Sequence, residues 1–133
     1  MIVADLMQTD LKTVTPDATI AEAIAVLAEA HVSAVPVVDR RDHLVGVLST
    51  TDVLNAAAET ASPRERERLF EIAQVEEIMT PRPITVPSTA GVKEAAQQML
   101  YLEVHRLFVE DDGRLVGVIS QTDIVRAVAL ARI

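Results

Sequence analysis

The 133-residue chain contains no cysteine and no tryptophan, with one tyrosine, two phenylalanines and four glycines. Without cysteine there is no disulfide, no thiolate metal site and no cysteine nucleophile, and a reducing compartment is the natural setting. The scarcity of aromatic rings removes the stacking platforms on which single-stranded nucleic acid is held. Basic charge is also short, with 12 Lys and Arg against 20 Asp and Glu and a net charge of -8. Phosphate backbones are bound by basic patches, so nucleic acid is not an expected partner. The few glycines form no Gly-rich phosphate loop. Three scattered histidines, with no His/Asp/Glu cluster at ligand spacing, offer neither a metal centre nor a nucleophile with its base, so no enzyme is expected. No apolar run reaches the roughly 18 residues that would span a membrane. The start, MIVADLMQTDLK, carries acids where a secretory leader carries bases. A cytoplasmic protein without membrane insertion is the expectation.

What the chain does have is a repeat. Leu44 to Ala58, LVGVLSTTDVLNAAA, returns at Leu115 to Ala129 as LVGVISQTDIVRAVA, identical at nine of fifteen positions. Self-similarity of this kind outranks other sequence signals, because each copy is one structural unit. The period is 72 residues from Met7 to Met79 and 71 from Gly46 to Gly117, so one residue is lost between DRRDH and DDGR, in a turn that absorbs it cheaply. The organisation expected is a first repeat over 1–58, a charged helical linker over 59–74 and a second repeat over 75–133.

Val3 to Met7 and Val75 to Met79 read as short amphipathic turns. Lys12 to Pro16 and Pro83 to Pro87 are β-branched runs stopped by proline, hence short edge segments. Thr19-x-x-Glu22 is a capping box, with Gly91-x-x-Glu94 in register, and Ile20, Ala23, Ile24 and Leu27, or Val92, Ala95, Ala96 and Met99, form a core face at helical spacing. Val32 to Val38 and Val104 to Val109 are second strands, and Leu44 to Leu48 and Leu115 to Ile119 are third strands closing hairpins. Each repeat is therefore strand, helix, strand, strand, helix: an α/β (α+β) unit with a three-stranded sheet and two helices that needs the other copy to complete its core. Between them Ser62-Pro63-Arg64-Glu65 starts a charged helix whose Leu69, Phe70, Ile72 and Ala73 can pack on a neighbour.

In both copies the third strand runs through Ser-x-Thr-Asp into a helix, placing Ser49, Thr51 and Asp52, or Ser120, Thr122 and Asp123, at one corner. An N-capping serine with an acid three residues on would explain the spacing with no ligand. It accounts neither for the glycine before the strand end, Gly46 or Gly117, nor for the second hydroxyl.

The order of elements, the segment VSAVPVVD and the duplicated Gly-h-h-Ser-x-Thr-Asp corner resemble a tandem pair of cystathionine-β-synthase (CBS) domains, the Bateman module, over nearly the whole chain. The second repeat, VHRLFVEDDGRLVGVISQTDIV, is similar to adenine-nucleotide-binding repeats of the gamma subunit of AMP-activated protein kinase. The resemblance implies two repeats packed by pseudo-twofold symmetry and a ligand containing adenosine, AMP, ADP or ATP, with no cofactor required. It places Asp52 and Asp123 as ribose acceptors, a role suited to carboxylates because charge-assisted hydrogen bonds contribute about 1.5–3 kcal/mol each. Ser49, Thr51, Ser120 and Thr122, with free helix N–H groups, would receive phosphate. Val32, Ser33, Ala34, Ile84 and Ile119 would sandwich the base, with Val104 beside them. His105 and Arg106 match the phosphate-contacting pair of the gamma-subunit repeats, and Arg grips phosphate bidentately. The first repeat has Ser33 and Ala34 there, so unequal sites are expected. Asp123 marks the better one, lined by Val32-Ser33-Ala34 across the pseudo-twofold, while Asp52's site draws Arg106. Lys12 is a lesser phosphate candidate, and His31 and His43 are surface or turn residues. A homodimer through the repeat helices is implied, with Ala56–Ala58 and Ala127–Ala131 as contact faces. Two alternatives stand beside a ligand sensor: a ligand-free dimerisation module, and a regulatory piece of a larger transporter, channel or dehydrogenase.

Overall fold

The computed structural model describes residues 1–130, and Ala131 of the second expected contact face lies outside them. The helices are α1 (Ile20–Ala30), α2 (Thr50–Ala58), α3 (Pro63–Glu71), α4 (Val92–Leu102) and α5 (Gln121–Ala129). The strands are β1 (Ala34–Val38), β2 (Leu44–Ser49), β3 (Thr80–Pro81), β4 (Thr85–Val86), β5 (Arg106–Asp111) and β6 (Arg114–Ser120). Short 3-10 turns occupy Val3–Asp5 and Val75–Glu77.

The folded units do not follow the repeat boundaries. One unit is Lys12–Pro83, and the other joins Met1–Leu11 to the chain from Ile84 on. In the first, Val14, Ile20, Ala23, Leu27, Val35, Val37, Leu48 and Val75 form the core. In the second, Val3, Val86, Ala95, Met99, Leu107, Val109 and Ile119 do so. Each repeat thus has a core closed by the valine at the start of the other repeat. The expectation that each copy needs the other to complete its core is met through this short lead-in segment.

Both sheets are built to one plan. In the first unit β1 and β2 form an antiparallel hairpin, β3 pairs with the outer edge of β2, and Val14 bridges Val37 in parallel on the other side. In the second unit β5 and β6 form the hairpin, β4 runs parallel to β5, and Gln8 bridges Val118. The exchanged segments cover strand edges that would otherwise expose unpaired N–H and C=O groups. Gly46 and Gly117 permit this: a Cβ on Gly46 would lie 2.5 Å from Met79 Sδ and 3.0 Å from Thr80 O, and one on Gly117 2.8 Å from Met7 Sδ and 2.9 Å from Gln8 O. The glycines left unexplained by capping are therefore required by chain crossing.

The hairpin turns carry the one-residue difference. Asp112 (φ 52°) and Gly113 (φ 80°) make a two-residue turn of the mirror-image type that matches strand twist. The longer first turn is organised by Asp39, whose carboxylate accepts the N–H groups of His43 and Arg41, which hold it below the usual aspartate range. Strands β1 and β5 start two residues later than expected, because α1 and α4 close in a left-handed turn. His31 (φ 55°) donates to Ala28 O and Val32 to Leu27 O, as Glu103 (φ 57°) and Val104 do to Leu100 O and Met99 O. These paired bonds satisfy the last helix carbonyls, so Val32 and Val104 belong to helix ends. Thr19 caps α1 by accepting the Glu22 N–H at 3.1 Å, the one half of the expected box that forms. Ser62 caps α3 by accepting the Glu65 N–H, and Leu69 and Phe70 of the helix, with Ala73 beyond its end, pack on the first core. Ile72 does not: it follows the helix end and is exposed.

Replacing Gly117 by Ala should displace Met7 and Gln8 from β6 and destabilise the protein by about 1–3 kcal/mol, as overpacking does. Gly91, an N-cap with open space around it, should gain a few tenths of a kcal/mol as Ser, so thermal midpoints should move in opposite directions. Acid should also act locally. Ser88 Oγ–H and N–H donate to Asp111, tying the end of β5 to the lead-in of α4 and lowering the Asp111 pKa. A depressed carboxyl contributes stability above its ordinary pKa and loses it as pH falls through the depressed value. Asp111→Asn should therefore flatten the loss of stability on acidification, measured by urea unfolding across the aspartate range.

Candidate functional site

The two strand-to-helix corners are near copies. At the first, Ser49 Oγ accepts the Asp52 N–H at 3.1 Å and Asp52 Oδ2 accepts the Ser49 N–H at 2.9 Å. At the second, Ser120 Oγ accepts the Asp123 N–H at 3.1 Å and Asp123 Oδ2 accepts the Ser120 N–H at 2.9 Å. These are reciprocal capping boxes, with a carboxylate in the first helical turn where the helix dipole favours it. The first helical amide is also engaged, Thr50 N–H with Ser33 O and Gln121 N–H with His105 O, both at 2.9 Å. Among the described residues, the N–H groups of Thr51 and Thr122 are the ones at each corner left without a partner, and both side chains are exposed. Each corner can thus offer an incoming anion one amide and two hydroxyl donors, because the capping serine oxygen accepts and keeps its own O–H.

The acids keep acceptor capacity beyond their caps. Asp52 faces Thr80 Oγ1, at 3.2 Å from Oδ1 and 3.4 Å from Oδ2, and Asp123 Oδ1 accepts from Gln8 Nε2 at 3.1 Å. Gln121 is a further member of the second corner: its Nε2 donates to Val104 O at 3.2 Å and its Oε1 lies 3.3 Å from His105 Nδ1. Sequence reasoning missed Gln8, Thr80 and Gln121. The first two carry a signal, since each follows the methionine that marks the period, Met7 or Met79. Gln121 carries none, because the first repeat has Thr50 in its place.

The remaining expected residues divide between the units. Lys12, Val32, Ser33 and Ala34 fold with Asp52, and Ser33 and Lys12 are exposed. Ile84, Val104, His105, Arg106 and Ile119 fold with Asp123; Ile84 is 54% exposed, His105 exposed, and Arg106 half-buried as the first residue of β5. The pairings expected across the repeats join residues of separate units. Ile119 is a correction. Its side chain is fully buried in the second core, on the inward side of β6, and has no face to offer a base. Ala127 is corrected likewise: it is 3% exposed, whereas Val125 and Val128 of α5 stand out at 64% and 57%. Among the described residues, no three His, Asp or Glu side chains gather as metal ligands and no helix is long and apolar enough to cross a membrane.

Two α+β units of one plan, each with a capped acid at the turn from strand to helix, define a tandem-repeat module. The family model of the CBS domain matches residues 3–59 and 75–130, and the chain belongs to that family. It is 30% identical over 139 residues to the CBS domain-containing protein CBSX1, chloroplastic, of Arabidopsis thaliana, covering 89% of this chain and 59% of that protein. The chain thus spans about three-fifths of that relative's length. The crystal structure of CBSX2 in complex with AMP superposes with a TM-score of 0.82 at 29% identity, covering 99% of this chain and 98% of the other. The CBS domain pair of protein MJ0100, in complex with 5-methylthioadenosine and S-adenosyl-L-methionine, gives 0.77 at 27% identity over 96% and 99%.

Proposed function

We propose that this chain is a regulatory module that binds an adenosine-containing ligand, AMP, ADP or ATP in kind, and changes conformation or association on doing so. The observation that carries the reading is the acid at each corner, pinned through one oxygen by its cap and still able to accept hydroxyl donors, in a family whose solved members hold AMP, 5-methylthioadenosine and S-adenosyl-L-methionine. Adenosine is common to those three compounds, and its ribose diol is the group a fixed carboxylate recognises. Asp123 is read as the stronger site, because Arg106 folds in its unit and supplies positive charge for phosphate, with the His105 ring beside it in sequence. Asp52 shares both its oxygens with one Thr80 hydroxyl. A signal requires that the ligand favour one conformation or assembly over another.

The same reading includes a homodimer through the helices. A groove of about 720 Å³ in the first unit is lined by Leu27, Ala28, Val53, Leu54, Ala57 and Phe70 among others. Leu54 is 69% exposed, and Leu100, Tyr101 and Val125 of the second unit are 73%, 87% and 64% exposed. Exposed apolar side chains on the helices of each unit are the kind of surface that interaction faces use.

Calorimetric titration with AMP, ATP, 5-methylthioadenosine and S-adenosyl-L-methionine tests the first part. Binding of at least one compound is expected, with Asp123→Asn weakening it about tenfold or more, since the amide keeps the shape of the side chain and loses its charge. No heat with any of them would favour a ligand-free module. For the second part, light scattering should give twice the chain mass, and Leu54→Asp with Val125→Asp should give the single mass; a monomeric parent protein overturns it.

A further inference from the structure

Gln8 and Thr80 stand at equivalent places on the two exchanged segments, each following the methionine that lies over a glycine of the central strand. They are unlike residues, yet each donates to the acid of the unit it joins. A carboxylate offers about four acceptor positions. At Asp123 the Ser120 N–H takes one on Oδ2 and the Gln8 amide one on Oδ1, leaving each oxygen able to accept once more. Two adjacent acceptors on one rigid carboxylate match the two donors of a vicinal diol. At Asp52 a single Thr80 hydroxyl lies within reach of both oxygens, so the same edge is shared. Gln8 and Asp123 also line a pocket of about 160 Å³ with Asp5, Leu6 and Arg126.

Resting on the reading of Asp123 as the ribose acceptor, we infer that Gln8 is a positioning residue that fixes the Asp123 carboxylate plane and thereby sets selectivity for ribose over deoxyribose. Its carboxamide acts through the acid. Pinned at Oδ2 alone, the carboxylate is free to swing about its capping bond, and a second donor on Oδ1 stops that motion. The arrangement also links the corner to the lead-in segment, because Gln8 pairs with Val118 of β6 through its backbone while its side chain holds the acid.

The test uses the full chain carrying Asp52→Ala, so that only the second corner reports, titrated with AMP and with 2′-deoxy-AMP. A preference for AMP of about tenfold is expected, the loss of one charge-assisted hydrogen bond. Gln8→Ala should reduce the preference to below about threefold, and Gln8→Thr, whose hydroxyl would share the edge the diol needs as Thr80 does at Asp52, should not restore it. An unchanged preference in Gln8→Ala, or tighter AMP binding as though a competitor had been removed, overturns the inference. If AMP does not bind, or Asp123→Asn leaves binding unaltered, the ribose reading itself fails. Gln8 is then judged by amide hydrogen exchange at Ser120 in the ligand-free chain. Faster exchange in Gln8→Ala, reversed in Gln8→Thr, supports positioning, and unchanged exchange overturns it.

Discussion

The structure depends on two close crossings, of Met7 and Gln8 over Gly117 and of Met79 and Thr80 over Gly46. A side chain at either glycine would occupy the space of a methionine sulfur and a backbone carbonyl. Because the space is empty, the lead-in of each repeat adds to the sheet of the other, seals its outer edge and delivers a valine, Val3 or Val75, into its core. The repeat in the sequence and the unit in space are consequently offset by one short segment.

That offset also shapes the corners. The acids are held from two directions, by the N-cap of their own helix and by a residue arriving on the exchanged segment. Capping alone accounts for the Ser-x-x-Asp spacing, and it is satisfied in both repeats. What distinguishes a binding corner from a capped helix is the acceptor capacity left over, and this differs between the copies because Gln8 and Thr80 approach their acids differently. The second repeat also has His105 and Arg106 where the first has Ser33 and Ala34, so two similar corners are chemically unequal.

Legibility varied with the range of the interaction. Helix faces, capping serines, hairpins and the duplicated corner are set by neighbours within a few residues, and these emerged from the chain with small shifts at strand starts. Those shifts came from His31 and Glu103 adopting left-handed turns, a conformation that glutamate does not advertise and histidine only weakly favours. Ile119 was misplaced for another reason. It lies beside the candidate site in sequence, but alternation along β6 turns its side chain into the core. Ala127 failed similarly, since small residues suit close helix contacts outside and tight packing inside alike.

The sequence by itself determined the repeat, the element order, the family and the acid at each corner, because repetition and local hydrogen bonding are written in adjacent residues. Only the tertiary structure decided which lead-in joins which sheet, why Gly46 and Gly117 must be glycine, and which donor meets each carboxylate. Those are contacts between residues far apart in the chain, with Gln8 and Asp123 separated by 115 positions. They depend on which backbone crosses which strand, and no local pattern specifies that.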